Sequence, residues 1–88
     1  MWSIEVLPEA ARDLEKLDRQ HATRILKFLR DRVSKLQDPR ALGAALKGSK
    51  LREYWKYRVG DYRVICKIED ERLLILLVRV GHRREIYR

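Results

Sequence analysis

Metal-binding side chains are scarce in this 88-residue chain, which has one cysteine, Cys66, and two histidines, His21 and His82. A single cysteine excludes an internal disulfide and any cysteine-rich metal site. Two histidines without cysteine partners are too few for a zinc site of the usual kind. We therefore expect no metal and no cofactor.

Glycine-rich loops and long apolar segments are also missing. The four glycines are scattered, so neither a P-loop nor a dinucleotide-binding loop is present. The longest apolar run, Leu73–Val78, suits a buried strand and is far too short to span a membrane. The first ten residues lack a basic stretch followed by an apolar one, so no secretory signal is predicted. We expect a cytoplasmic protein with no membrane partner.

Negative charge is in short supply, since 21 lysines and arginines face 13 aspartates and glutamates, a net charge of +8. The excess is uneven. Residues 1–40 hold 9 basic and 7 acidic side chains, net +2, whereas residues 41–88 hold 12 and 6, net +6. A basic second half indicates either a polyanion or an acidic protein as partner, and charge alone leaves both open.

The first half of the chain carries helical periodicity. Pro8 suits the first turn of a helix, where its missing N–H costs nothing. Asp18 is placed to cap a second helix, whose apolar residues over 22–36 follow the spacing of an amphipathic helix. Asp38-Pro39 is predicted to end it. The short link between the two helices predicts an antiparallel hairpin.

Strand periodicity dominates the rest. Residues 2–7 alternate as a first strand, and residues 40–50 are predicted to be a loop. Residues 51–59 and 62–68 alternate on either side of a Gly60-Asp61 turn, and residues 72–80 are apolar on both faces, which predicts a central strand.

The predicted fold is a single α+β domain over residues 1–88. It has an antiparallel sheet with the N-terminal strand at its edge, a helical hairpin packed on one face, and a C-terminal three-strand meander.

The face of the sheet away from the helices is predicted to be rich in cations and rings. In the predicted register, Trp55 and Tyr57 point towards the helices. The other face then presents Tyr54, Lys56, Arg58, Arg63 and Lys67, and the final segment adds His82, Arg83, Arg84 and Tyr87. Arginine forks bind phosphate and tyrosines stack on bases, so this combination favours RNA over an ordinary solvated face.

Three segments carry a resemblance to a known family. They are LKG at 46–48, YRVGDYRVICKI at 57–68 and RVGHRREIYR at 79–88. In these segments and in their spacing, the chain resembles RelE-family toxins of the RelE/ParE superfamily, the toxic half of toxin–antitoxin pairs. The resemblance extends over almost the whole chain and implies a RelE-like fold.

The resemblance implies a metal-independent endoribonuclease that enters the ribosomal A site and cuts mRNA there. The 2′-hydroxyl attacks the adjacent phosphate and leaves a 2′,3′-cyclic phosphate and a 5′-hydroxyl. The implied partners are a RelB-like antitoxin, the ribosome and mRNA. The toxin alone is expected to be a monomer and to form a higher-order complex with its antitoxin.

By position, the resemblance implies a catalytic set of Lys56, Arg63, Arg83 and Tyr87. Arg63 would stabilise the phosphorane, Arg83 would contact the leaving side, and Tyr87 would stack on the cut nucleotide. Tyr54 stands where the family has a second lysine, and His82 is a possible replacement acid or base. The expected RNA-binding residues are Tyr54, Arg58, His82, Arg84 and Lys47.

Two other functions fit the same sequence. A ParE-like toxin shares the fold but poisons DNA gyrase through a protein contact. A non-catalytic toxin would bind its antitoxin and regulate transcription.

Overall fold

The computed structural model describes residues 1–47 and 54–82, which form a five-stranded sheet with two helices on one face. The strands are β1 (Ser3–Val6), β2 (Ala44–Ala45), β3 (Tyr54–Val59), β4 (Tyr62–Glu69) and β5 (Leu74–His82), and the helices are α1 (Pro8–Glu15) and α2 (Arg19–Asp31). Single 3₁₀ turns cover Val33–Lys35, Pro39–Ala41 and Asp70–Arg72. The predicted α+β class is confirmed.

The two helices begin where the sequence predicts, with Pro8 in the first turn of α1 and Asp18 at the N-cap position of α2. The Asp18 side chain makes no capping hydrogen bond there. The second helix ends earlier than predicted, at Asp31 rather than at Asp38-Pro39. The chain tightens there into a 3₁₀ turn, and the Ser34 carbonyl accepts the Trp2 N–H at 3.0 Å. The apolar periodicity of residues 22–36 did not predict this earlier end of α2. The residues that follow the helix contact the N-terminal segment, which is distant in sequence.

The strand order is β1-β5-β4-β3-β2, so β5 is internal and β1 lies at an edge, as predicted. The β3, β4 and β5 strands form the expected antiparallel meander. In one detail the sheet differs from the expectation, because β1 pairs in parallel with β5 and the sheet is mixed. The helices between these strands provide the crossover that parallel pairing requires.

The second edge strand, β2, lies inside the segment predicted to be a loop. Ala44 and Ala45 pair with Lys56 and Trp55 of β3. Gly43, just before β2, has φ +73°, and a Cβ there would collide with the Lys56 carbonyl oxygen. Glycine is therefore required at position 43, because the backbone there has a left-handed conformation and lies too close to β3 for a side chain.

The core lies between the helices and the sheet. Its fully buried members come from both layers and include Ala10, Ile25, Leu29, Tyr57, Val64, Cys66, Ile68, Ile75 and Leu77. Trp55 is partly buried and packs against them, as predicted for the inward side of β3. Burial raises the pKa of the Cys66 thiol to about 12, so the thiol is neutral at pH 7.

Neither of the helices in the described part of the chain is long and apolar enough to cross a membrane.

Candidate functional site

The helix-free side of the sheet is the open face, defined here by Tyr54, Lys56, Arg58, Arg63, Ile65, Lys67 and Gly81. Six of these residues alternate along β3 and β4 with buried residues such as Tyr57, Val64 and Cys66. The seventh, Gly81, lies directly opposite Arg63 on β5. Successive side chains of a strand point to opposite faces. The same strands therefore build the core on one side and this basic surface on the other.

A cross-strand row lies at the centre of the open face. Arg58 is directly opposite Arg63, and Arg63 is directly opposite Gly81. Directly opposed residues have Cβ atoms ~4.5–5.5 Å apart, and like charges in such a pair are destabilising. Gly81 adds no side chain beside Arg63. Arg58 and Arg63 therefore place two cationic side chains on neighbouring strands of the open face.

Lys56 lies on the diagonal of this row. It pairs with Ile65, two residues beyond Arg63, and diagonal neighbours in a sheet are ~7–8 Å apart. Tyr54 pairs with Lys67 at the far end of β3. Lys47 is exposed and follows β2, and the neighbouring Leu46 N–H donates to the Tyr54 carbonyl at 3.2 Å. Lys47 therefore belongs to the Tyr54 end of the face.

His82 lies elsewhere. It pairs with Tyr62, and the two rings meet edge to face with centroids 6.0 Å apart. Tyr62 in turn contacts the ring of His21 on α2, with centroids 5.2 Å apart. The structure thus groups His82 with the helix side of the sheet, and not with the open face as the sequence predicted.

The reason is a β-bulge in the pairing of β4 with β5. The register shifts between Ile65 and Cys66, so that Cys66 pairs with Leu77 but Ile65 pairs with Arg79. The extra residue on β5 reverses the alternation beyond it. Val80 and His82 consequently lie on the helix side, where Val80 is buried and His82 is exposed, and Gly81 lies on the open face.

Three predicted site residues, Arg83, Arg84 and Tyr87, lie outside the described residues.

Polar contacts on the inner side hold the loop before β2 against β3. The Tyr57 hydroxyl donates to the Pro39 carbonyl at 2.6 Å, and the Trp55 Nε1–H donates to the Leu42 carbonyl at 2.6 Å. Burial raises the pKa of Tyr57, so its hydroxyl keeps the proton that this bond needs. These contacts position β2 and the segment leading to Lys47.

A bidentate ion pair closes the same loop from outside. Arg40 Nη1 and Nη2 donate to Asp70 Oδ1 and Oδ2, each at 2.9 Å. This hydrogen bonding lowers the pKa of Asp70 and raises the pKa of Arg40. The partners are 30 residues apart, so no local pattern indicates the pair.

Asp13 of α1 anchors the end of β5. Its carboxylate accepts the Val80 backbone N–H at 2.9 Å and pairs with Arg79 Nε at 2.8 Å. Hydrogen bonding to Asp13 raises the pKa of Arg79. The pairing of β1 with β5 ends at Leu77, so β1 provides no acceptor for the backbone amides of β5 beyond that residue. The Asp13 carboxylate accepts the Val80 N–H instead. The contact steadies the strand that carries Gly81.

Within residues 1–47 and 54–82, no group of three or more histidine, cysteine, aspartate or glutamate side chains is arranged to hold a metal ion.

Comparison with known proteins gives consistent relatives. Residues 4–87 match the family described as the ParE toxin of the type II toxin–antitoxin system parDE. Toxin RelG of Mycobacterium tuberculosis is 30% identical over 87 residues, which cover 99% of this chain and 97% of RelG. Toxin RelE of the same organism is 29% identical over 87 residues, which cover 99% of this chain and 87% of that toxin.

Solved structures agree on the fold. A chain of the toxin–antitoxin complex RelBE2 from M. tuberculosis matches with a TM-score of 0.80 and 27% identity, over 96% of this chain and 93% of that one. A chain of the intact E. coli RelBE toxin–antitoxin complex has a TM-score of 0.74 at 19% identity, over 93% and 96%, and shows the fold alone. The sequence and the fold together establish that this chain belongs to the RelE/ParE superfamily of toxins from type II toxin–antitoxin systems.

Proposed function

We propose that this toxin is a metal-independent endoribonuclease that cuts mRNA in the ribosomal A site and so inhibits translation. The row of Arg58, Arg63 and Gly81, with Lys56 on its diagonal, is the observation that carries the proposal. It places three cations on the helix-free face of the sheet, with no side chain on the β5 flank of Arg63. Full-length similarity to RelG and RelE supports the same assignment.

The reaction requires three charge adjustments. The 2′-oxygen gives its proton to solvent and bonds to phosphorus, the phosphorane gains negative charge, and the bond from phosphorus to the 5′-oxygen breaks as that oxygen takes a proton from solvent. Lys56 favours the 2′-oxyanion, and Arg63 stabilises the phosphorane through charge-assisted hydrogen bonds. Arg83 contacts the leaving side, where its charge stabilises the departing 5′-oxygen. His82, the other candidate from the sequence, lies on the helix side of the sheet and takes no part in this step.

Most of the predicted RNA-binding residues, together with Tyr87, position the substrate. Arg58, Arg84 and Lys47 contact phosphates, and the Tyr54 and Tyr87 rings stack on bases. Tyr54 stands at the end of β3, one cross-strand row beyond Lys56 on the same face. In this position it supplies a stacking surface in place of a second cation.

The antitoxin proposed for this chain is RelB-like, with an acidic segment that folds along the basic half of the toxin. The motive is the net charge of +6 on residues 41–88, which favours a chain of opposite sign. Both matching structures described above are toxin–antitoxin complexes. A co-expressed complex with a neutral segment docked away from Lys56 and Arg63 would contradict this part of the proposal.

The deciding experiment maps mRNA 5′ ends after brief induction in cells. The wild-type toxin is expected to produce cuts inside reading frames, phased to the A site, whereas Arg63→Ala produces none at equal expression. Growth arrest without phased cuts would reject the nuclease assignment.

The description of the matching family as a ParE toxin favours a second candidate, inhibition of DNA gyrase. The two functions separate in a supercoiling assay with purified gyrase. The nuclease assignment predicts full gyrase activity at toxin concentrations that stop translation in a cell-free extract.

A further inference from the structure

A pocket opens on the helix side of the β3–β4 turn, and neither Lys56 nor Arg63, the two predicted catalytic residues in the described part of the chain, is among the residues that line it. It is called the turn pocket here and is lined by His21, Arg24, Val59, Gly60, Tyr62 and His82, together with Ile25 and Asp61. The rings of His21, Tyr62 and His82 follow one another at 5.2 and 6.0 Å between centroids. Three neighbouring rings at the edge of a basic protein form a surface on which a flat base can stack.

Cations flank the turn on both sides. On the open face, Arg58 Nε donates to the Gly60 carbonyl at 3.3 Å. On the helix side, Arg24 lies over the same residue, since a Cβ added at Gly60 would be 3.3 Å from Arg24 Nη1. Positive charge therefore continues around the turn from Arg63 and Arg58 to Arg24.

From Arg24 the charge extends along the outer face of α2. Its exposed cations are Arg19, Arg24, Lys27 and Arg30, and its only acidic residue is Asp31. None of the four cations forms an ion pair with any residue in the described part of the chain. At 1.5 Å per residue they span roughly 16 Å, enough to pass several phosphates.

The neighbouring helix has the opposite balance. Along α1, Glu9, Asp13 and Glu15 outnumber Arg12. A surface charged only for solubility would mix both signs on each helix. The segregation of charge between two adjacent helices indicates that α2 faces a polyanion.

We propose that the turn pocket and the outer face of α2 form a second RNA-binding surface. The phosphodiester backbone runs along the α2 cations, and one unstacked base lies against the rings of the turn pocket. The inference rests on the proposed function, in which the RNA is ribosomal and this surface holds the ribosome while the open face addresses mRNA.

The lining favours RNA over an acidic protein segment. The rings are tilted and edge to face, with interplanar angles of 49° and 82°, so that a base can bind against the π face of one of them. Asp61 at the pocket repels a carboxylate, yet it can accept a hydrogen bond from the exocyclic amine of a base.

The test measures binding in the Arg63→Ala background, so that cutting does not intervene. Co-sedimentation with bacterial ribosomes over a series of salt concentrations compares Arg24→Gln/Lys27→Gln with Arg12→Gln/Lys16→Gln, which removes the same charge from α1 and its C-cap residue. The α2 variant is expected to make the slope of log K against log salt shallower by about two, and the α1 variant to leave it unchanged. Equal changes in both variants would overturn the proposal, because net charge alone would then explain binding.

The pocket is tested separately with a short labelled single-stranded RNA, its abasic counterpart and oligoglutamate of equal charge. His21→Ala is expected to weaken binding of the RNA about tenfold and binding of the abasic strand very little. His21→Gln, which removes the ring but keeps a polar side chain, should reproduce the effect if His21→Ala melts. Equal losses on both strands, or a larger loss for oligoglutamate, would overturn the assignment. Absence of phased mRNA cuts with these binding results intact would reject only the nuclease.

Discussion

The two faces of β3 and β4 are built by alternate residues of the same strands and differ in what they stabilise. On the inner face, Tyr57, Val64 and Cys66 are at most 1% exposed and form the core. On the open face, Arg58 and Arg63 stand directly opposite each other, and neither belongs to the core. Core side chains and side chains proposed to bind RNA are therefore one residue apart on the same strands.

Truncation of an inner-face ring is expected to give the largest effect. Tyr57→Ala should lower the free energy of unfolding by about 3–5 kcal/mol, because it leaves a cavity and breaks the bond to the Pro39 carbonyl. The control is Tyr54→Ala, the same change on the same strand but on the open face, which should cost under about 1 kcal/mol. Urea unfolding curves measure both. Similar losses would show that the two faces are not separable.

Removal of an open-face cation should damage the reaction instead of the fold. Arg63→Ala is expected to slow single-turnover cleavage on programmed ribosomes by about 10²–10³-fold, the usual effect of losing one preorganised donor. Its melting temperature should hardly change, since loss of the Arg58–Arg63 repulsion offsets the lost contacts. Lys67→Ala, on the same strand and face, is the control and should retain most activity. Full activity in Arg63→Ala with normal folding would shift support to gyrase inhibition or binding alone.

Gly43, just before β2, and Gly60, in the β3–β4 turn, should differ in how much an added side chain destabilises the fold. Gly43→Ala is expected to cost roughly 1–3 kcal/mol, because the residue has φ +73° and its Cβ would collide with the Lys56 carbonyl. Gly60→Ala should cost about 1 kcal/mol, since its φ is +61° but its nearest neighbour is the mobile end of Arg24 at 3.3 Å. Thermal unfolding of both variants compares them, and a larger loss for Gly60→Ala would contradict the placement of β2.

The smallest effect is expected for the exposed ion pair of Arg40 and Asp70. Arg40 lowers the pKa of Asp70 in the folded state, so the pair stabilises the fold above the unfolded pKa of about 3.9 and loses this contribution as the pH falls through the folded pKa. With the Asp70 side chain 63% exposed, solvent screening limits the gain to at most about 1 kcal/mol. Urea unfolding of wild type and Asp70→Asn should differ near pH 7, and the difference should shrink as the pH falls below the unfolded pKa of Asp70. A gap that does not narrow would contradict the ionic origin.

The sequence alone determined where the helices begin and which residues of β3 and β4 share a face, because these features depend only on residues that are neighbours in the chain. Pro8 and Asp18 mark the helix starts, and alternation about the Gly60-Asp61 turn separates Tyr57 from Lys56, Arg58 and Arg63. Local backbone preference and the two-residue period of a strand are sufficient for these predictions.

The tertiary structure alone decided the features that join distant segments. The pairing of β1 with β5 made the sheet mixed, and Asp13 met the Val80 amide across 67 positions of sequence. The bulge opposite Ile65 and Cys66 moved His82 from the open face to the rings of Tyr62 and His21. A single extra residue in a ladder inverts every side chain beyond it, and only the partner strand shows where it lies, because a bulge is a property of the pairing.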